Sequence, residues 1–319
     1  MLKMLLPLDG SNLAECVLPH ALAIAGAIDA EVTLLRIVTP SEFRNGEAFN
    51  RVDWRLHRHE AQTYLESIGA IFDTAGIPCQ RCLEEGRPAE IVLKTARELG
   101  AQLLILSTHG YGAAIDFPCG SVAGKVLSAY EASVLLVGAQ ADQAARDRAV
   151  YDRLLVPIDG SHESECALRV AISLAQCLES RLSVVYLARL VRLPAIANRD
   201  PHALALSRQL TEVVRLAAER ELTGLRARLP AELNPETAVV SAAESDELLT
   251  ELKNRFDPNL IVSSADASFI ANTSAHPLLR SASIGNRVPL LVLNPRGIGD
   301  AFCESRRLDG AGVRTADVS

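Results

Sequence analysis

The sequence predicts an α/β fold: two domains in tandem, each a doubly wound five-stranded parallel sheet. Three observations predict it. First, the chain repeats itself. Met4-Leu5-Leu6-Pro7-Leu8-Asp9-Gly10-Ser11 returns as Leu154-Leu155-Val156-Pro157-Ile158-Asp159-Gly160-Ser161, and Glu15-Cys16 returns as Glu165-Cys166 at the same offset of 150 residues. A period that long means a duplicated domain, because solenoid units run to only about 20–50 residues. Second, apolar runs of strand length alternate with helical patterns in both halves, and near-continuous apolar strands between helices belong to a parallel sheet covered on both faces. Third, Ser107-x2-Gly110-x9-Gly120-Ser121 follows the apolar run Leu103-Leu104-Ile105-Leu106 and precedes a helical segment from Val122 to Tyr130. Strand, small-residue loop and helix N-terminus is the order that turns backbone N–H groups toward a phosphate.

In the first half the expected strands are 3–8, 31–37, 77–83, 102–107 and 133–138, with helices at about 12–27, 52–75, 88–99 and 120–130. Gly76 stands where a left-handed residue closes the second helix. Pro88, after Gly86-Arg87, suits the first turn of the third. The second half repeats the scheme with strands at 153–158, 181–187, 236–241, 259–263 and 288–293. Its long helix, about 201–228, carries Leu206, Leu210, Val213 and Val214 on one stripe, the spacing of an amphipathic helix. The expected organisation is a first domain at 1–140, a polar, alanine-rich linker at 141–152, a second domain at 153–295 and a disordered tail at 296–319.

Composition narrows the function classes. Hydrophobic residues make up 49% of the 319 and charged residues 22%, enough for two ordinary cores. A net charge of −7 without a basic run argues against a nucleic-acid partner. The chain has no apolar stretch of 18 residues, and the run Met1 to Leu6 is broken by Pro7 and Asp9, so neither a membrane span nor a secretory signal is expected and the cytosol is the expected compartment. Seven scattered cysteines do not suggest a disulfide framework. Cys79-Gln80-Arg81-Cys82 is a lone C-x2-C in a strand, without the second pair a metal needs or the helix start a redox pair uses; these cysteines read as small apolar residues.

The residues quoted above resemble the universal stress protein family across both halves, from residue 1 to about 295. The family pattern has an aspartate closing the first strand, here Asp9, and a late loop G-x2-G-x9-G-(S/T), here Gly110, Gly120 and Ser121. A final strand follows, here Val134-Leu135-Leu136-Val137. The resemblance implies the adenine nucleotide alpha hydrolase-like fold and, as in some members, ATP or AMP/ADP, with magnesium as a companion ion. It places Pro7, Leu8 and Asp9 at the adenosine end and Ile37 at the base. Ser107, Gly110, Gly120, Ser121 and Val122 fall at ribose and phosphates. It also implies that the final strands of the two halves pair antiparallel as an intrachain pseudo-dimer, with a homodimer as a further assembly. Two departures stand out. Ser107 replaces the loop's first glycine, and the loop 111–119 contains one acid, Asp116, and no lysine or arginine. In the second half Ala267 aligns with Gly110 and His276-Pro277 with Gly120-Ser121; a proline there removes an N–H that a phosphate would use.

The residue-level readings leave alternatives open. Asp9 and Asp159 suit either a ligand contact or a helix cap, since each sits in Asp-Gly-Ser before a helix. Ser121 can cap and donate to phosphate at once. His109 reads as loop structure. Lys125 reads as a solvated helix residue, with a phosphate contact as the alternative. His57 and His59, two apart on a helix, face different sides and are no metal pair. The chain has no G-x-S-x-G, H-E-x-x-H or G-x4-G-K-(S/T) motif, so no nucleophile has an adjacent base. Three function classes follow: a nucleotide-binding regulatory module holding its ligand in the first half, a scaffold binding partners or small ligands on the same fold, and a slow ATPase.

Overall fold

The computed structural model describes residues 1–39, 51–109, 120–129, 132–138, 149–189, 200–242, 245–264 and 288–294. The first half comprises β1 (Leu2–Leu8), α1 (Leu18–Ala27), β2 (Ala30–Val38), α2 (Arg51–Thr74), β3 (Cys79–Glu85), α3 (Pro88–Leu99), β4 (Leu103–Ser107), α4 (Ser121–Ala129) and β5 (Ser133–Val137). The second comprises β6 (Arg153–Ile158), α5 (His162–Cys177), β7 (Arg181–Arg189), α6 (Pro201–Arg226), β8 (Glu236–Ala242), α7 (Ser245–Phe256), β9 (Leu260–Ser264) and β10 (Leu290–Leu293). Gly76 and Gly100 are both left-handed at helix ends, at φ 72° and 61°. Pro88 opens α3 as its spacing implies.

The ten strands among the described residues form one sheet in the order β3-β2-β1-β4-β5-β10-β9-β6-β7-β8. Within each half every pairing is parallel. The halves meet where β10 runs antiparallel to β5, with Leu290 opposite Leu136, Leu291 opposite Leu135 and Val292 opposite Val134. The backbone N–H of Asn294 donates to Ser133 Oγ at 3.2 Å beside this seam. Short apolar strands at the end of each domain would otherwise be open edges, and pairing them with each other removes that liability.

Alternation along β1 explains the layers. Leu2, Met4, Leu6 and Leu8 face α1 and α2, packing with Ile24, Leu65, Ile68 and Phe72; Leu5 points the other way, toward Val92 of α3 and Val126 of α4. The second half repeats this, with Leu154 and Val156 against α5 and α6, and Leu155 on the side of Leu252 and Phe256 of α7. Phe72 is fully buried, and a side chain of that size contributes about 1.5–3 kcal/mol by leaving water. Gly69 of α2 leaves room for Arg81 of β3: a Cβ there would collide with the Arg81 guanidinium. The guanidinium pairs instead with Asp73 and, at 3.7 Å, Glu66.

One element departs from expectation. The stretch read as a helix over 12–27 begins as a 3-10 turn, Ala14–Val17, and becomes α-helical only at Leu18. Pro19 has no N–H, so the α-type bond from residue 19 to the Glu15 carbonyl cannot form. That carbonyl takes the Leu18 N–H instead. At the same place in the repeat stands Arg169, which has an N–H, and α5 runs unbroken from His162 to Cys177.

A cross-half contact lies away from the strands. His20 Nδ1 of α1 is 2.6 Å from the hydroxyl of Tyr151, just before β6, and Tyr151 is 4% exposed. The Ser180 hydroxyl holds the Tyr151 carbonyl.

Candidate functional site

The strand order places β1 beside β4 in the first half, with β2 and β3 continuing to one side and β5 to the other. The loops leaving β1 and β4 therefore diverge toward opposite faces, and the gap between them is where ligands of open α/β sheets sit. One lip is the turn Pro7 to Ser11. The other is Ser107 to His109 together with the start of α4 at Gly120, Ser121 and Val122. Gly110 and Asp116 of the connecting loop lie outside the described residues.

On the first lip, Asp9 Oδ1 accepts the Ser11 N–H at 2.9 Å and the Ser11 hydroxyl at 2.6 Å; Ser11 Oγ in turn accepts the Ala14 N–H at 3.2 Å. Asp9 thus stands one step behind the cap and orients it. Gly10 takes φ 79°, a left-handed conformation that costs glycine little. The repeat reproduces the device. Asp159 Oδ1 accepts from Ser161 N at 3.0 Å and from Ser161 Oγ at 2.6 Å, Ser161 Oγ caps α5 at the Ser164 N–H, and Gly160 has φ 82°.

On the second lip, Thr108 N–H donates to the Val137 carbonyl at 2.8 Å, which ties the end of β4 to β5. The Gly120 N–H donates to the Thr108 carbonyl at 2.7 Å, and a Cβ on Gly120 would lie 3.2 Å from that carbonyl oxygen. Only glycine brings the start of α4 this close without displacing backbone. Ser121, the first residue of α4, is exposed, Val122 is half-buried and Lys125 is exposed. The Ser107 hydroxyl shares its proton between the carbonyls of Leu13, at 3.2 Å, and His109, and accepts the His109 N–H at 3.3 Å. The serine that replaces the family's glycine thereby stitches the two lips together. His109 is buried, with Nδ1 3.0 Å from Thr108 Oγ1, in keeping with a role in loop structure.

Pro7 is half-buried, Leu8 is buried, and Ile37 is 5% exposed in the core beneath α3. Ile37 therefore offers the crevice the end of its strand more than its side chain. Sequence reasoning missed a neighbour. Arg36, opposite Leu8 in register, lays its guanidinium over the Asp9-Gly10 turn, with Nε 3.7 Å from the position of a Gly10 Cβ, and donates from Nη1 to the Ile37 carbonyl at 2.7 Å. The signal was a lone cation at the carboxyl end of an apolar strand. Behind it, burial and then the Glu15 carboxylate push the Tyr64 phenol above its ordinary range.

In the second half the residue at the place of Arg36 is Tyr186, opposite Ile158. Its hydroxyl donates to the Asp159 carbonyl at 3.1 Å and lies 2.9 Å from where a Gly160 Cβ would be. An acceptor of the second turn is therefore occupied from within. Ser264, at the end of β9, stands where Ser107 stands at the end of β4, as the pairings Leu154–Leu260 and Met4–Leu103 fix. Ala267, His276 and Pro277 lie outside the described residues. Among the described residues no cluster of three or more metal-ligating side chains occurs, and no helix is long and apolar enough to cross a membrane.

A model of the universal stress protein family matches residues 1–138 and again residues 150–271. The chain belongs to that family. Like other universal stress proteins, it is a mixed α/β protein with the adenine nucleotide alpha hydrolase-like fold, here in tandem. A putative universal stress protein from Staphylococcus epidermidis is 27% identical over 137 residues, which are 42% of this chain and 82% of that protein. A crystal structure of a universal stress protein from Archaeoglobus fulgidus superposes with a TM-score of 0.66 at 16% identity, over 93% of this chain and 97% of that one. An Arabidopsis thaliana universal stress family protein, solved with AMP bound, matches at 14% identity and a TM-score of 0.34, over 45% of this chain and 95% of its own.

Proposed function

We propose that this universal stress protein is a cytosolic regulatory module that holds one adenine nucleotide, in its first half. The observation that carries the reading is the approach of Gly120 to the Thr108 carbonyl, which presents the N-terminus of a nine-residue helix to the crevice between β1 and β4. The N–H groups of a first helical turn have no partner within the helix, and with the helix dipole they suit a phosphate. In this reading Ser121, Val122 and Gly110 hold the phosphates and ribose, and the turn Pro7 to Asp9 with the end of β2 at Ile37 meets the adenosine. The candidate ligands are ATP, ADP and AMP, with magnesium as companion to a triphosphate. The second half offers no such cradle, given Ala267, His276 and Pro277 in sequence and the Tyr186 hydroxyl on the Asp159 carbonyl. The bound nucleotide acts as a signal and is hydrolysed slowly at most, because backbone donors without a positioned base or cationic clamp bind ground and transition state alike.

The test is isothermal titration of the full chain with ATP, ADP and AMP, with and without magnesium. One nucleotide per chain, lost in Gly120→Val, is the expected result; two per chain refutes the asymmetry. One observation favours the scaffold reading: Asp9 Oδ1 and the Ser107 hydroxyl are already engaged inside the protein. Absence of binding by any of the three nucleotides would decide for it.

A further inference from the structure

The first part of α6 packs loosely, with one stripe, Ala203, Ser207, Thr211, Val214 and Arg215, half-buried and the rest exposed. Its buried residues are Ala218 and Leu222, and no residue from 201 to 217 is buried. Glu221 lies 3.7 Å from the position of a Gly160 Cβ, at the carboxyl end of β6. The roughly twenty residues before it therefore extend about 30 Å, at about 1.5 Å per residue, from that level. A helix of that length without tertiary packing is marginal in water, yet this one is built to persist. Asp200 caps it through the His202 N–H at 2.9 Å, Pro201 opens it, and Arg215 pairs with Glu212 at 2.6 Å and with Glu219 one turn further on.

Along this segment Ala203, Leu206, Leu210, Val213 and Ala217 recur at intervals of three and four, the a and d positions of two heptads. The flanking e and g positions from 203 to 217 are Ser207, Gln209, Val214 and Leu216. None of these nine residues is charged. The charges, Arg208, Glu212 and Arg215, all fall on the outer positions. The large apolar side chains of the seam are open to water, with Leu206 56% exposed, Leu210 40%, Val213 62% and Leu216 42%, whereas Ala203, Ser207 and Val214 are half-buried.

We propose that this seam is a self-association surface and that its occupant is α6 of a second copy of the chain, packed antiparallel about a two-fold axis. Antiparallel pairing sets a against d, so that Leu210 meets Val213 and Leu206 meets Ala217 of the second copy, each larger side chain against a smaller one. A parallel pair would stack Ala203 on Ala203 and Ala217 on Ala217 and leave those layers thin. Between the end layers, where Ala203 meets Arg220 of the second copy, the seam carries no charge and brings no like charges together, and the head-to-tail helices oppose their dipoles. α6 packs on β7 and β8, at the outer end of the sheet, so a second copy meets no other domain there. Two heptads bury less than a standard interface of about 1,600 Å2, the size class of weak, reversible associations, and a micromolar equilibrium is the expectation to be tested.

Sedimentation velocity of the full chain from about 1 to about 200 µM brackets that affinity. A monomer–dimer equilibrium is expected. Leu210→Glu and Val213→Lys are each expected to weaken it at least tenfold while leaving circular dichroism and the melting midpoint unchanged, as befits exposed positions. Mixing the two variants is expected to restore a heterodimer, because the carboxylate introduced in one copy then meets the ammonium introduced in the other. A monomer at the highest concentration, or a dimer indifferent to both substitutions, overturns the proposal. Loss of both homodimers without a heterodimer overturns the antiparallel register.

Discussion

Acidification should loosen the junction between the halves through one residue. His20 is half-buried against Tyr151, and removal from water lowers its imidazole from the ordinary 6.5 to about 4. Burial also pushes the Tyr151 phenol upward, so the phenol keeps its proton and donates it to Nδ1 of the neutral ring. Protonating Nδ1 would remove that acceptor and bury a charge. The sign follows directly. Between pH 6.5 and about 4 the unfolded chain binds a proton at His20 that the folded chain refuses, so stability falls as pH falls through this window. At about 1.36 kcal/mol per pH unit the full difference is about 3 kcal/mol, roughly half of it developed between pH 7 and 5. His20→Gln keeps an acceptor and removes the titration. Urea unfolding of both proteins at pH 7 and pH 5 measures the double difference, in which the titrating carboxylates cancel. Wild type should lose about 2 kcal/mol more than the variant; an equal loss in both would refute the reasoning.

Other outcomes follow from single contacts. Gly120→Val forces its side chain onto the Thr108 carbonyl and should abolish nucleotide binding in titration calorimetry and lower the melting midpoint, with the native circular dichroism retained at 25 °C. Leu135→Ala empties a fully buried position across from Leu291 and should cost about 2–5 kcal/mol by denaturant unfolding. Tyr186→Phe removes the donor to the Asp159 carbonyl, for about 1 kcal/mol, and should leave nucleotide stoichiometry unchanged. Burial pushes the Cys79 thiol up to about 11, so it should react slowly with iodoacetamide at pH 8 until the chain is unfolded.

The strands were legible because parallel strands buried on both faces write themselves as apolar runs, and the repeat supplied each reading twice. The antiparallel meeting of β5 and β10 followed from the family resemblance together with two short apolar strands needing cover. The 3-10 start before α1 was hidden because helical periodicity is blind to a missing N–H; only comparing Pro19 with Arg169 across the repeat exposes it. The site was legible in part. Asp9, Gly10 and Gly120 declare themselves by residue type, since a turn aspartate and close-approach glycines are read one residue at a time. Arg36 and Tyr186 do not, because their effect depends on strand register, which places each beside a turn some 26 residues away in sequence. By sequence Ser107 is only a replacement for the first glycine of the loop, whereas its hydroxyl reaches Leu13, a contact no local pattern encodes.

The antiparallel β5–β10 seam joins two domains that share one polypeptide. Partner strands tethered in this way meet at an effective concentration set by the chain and not by the cell. The pairing is therefore insensitive to dilution, and a copy number of a few molecules suffices for an assembled unit. It also frees each half from the symmetry that a pair of identical subunits imposes. A substitution in one crevice, such as tyrosine for arginine beside its turn, is not copied into the other. One half can therefore drift toward a purely structural role while its sister keeps a chemistry of its own.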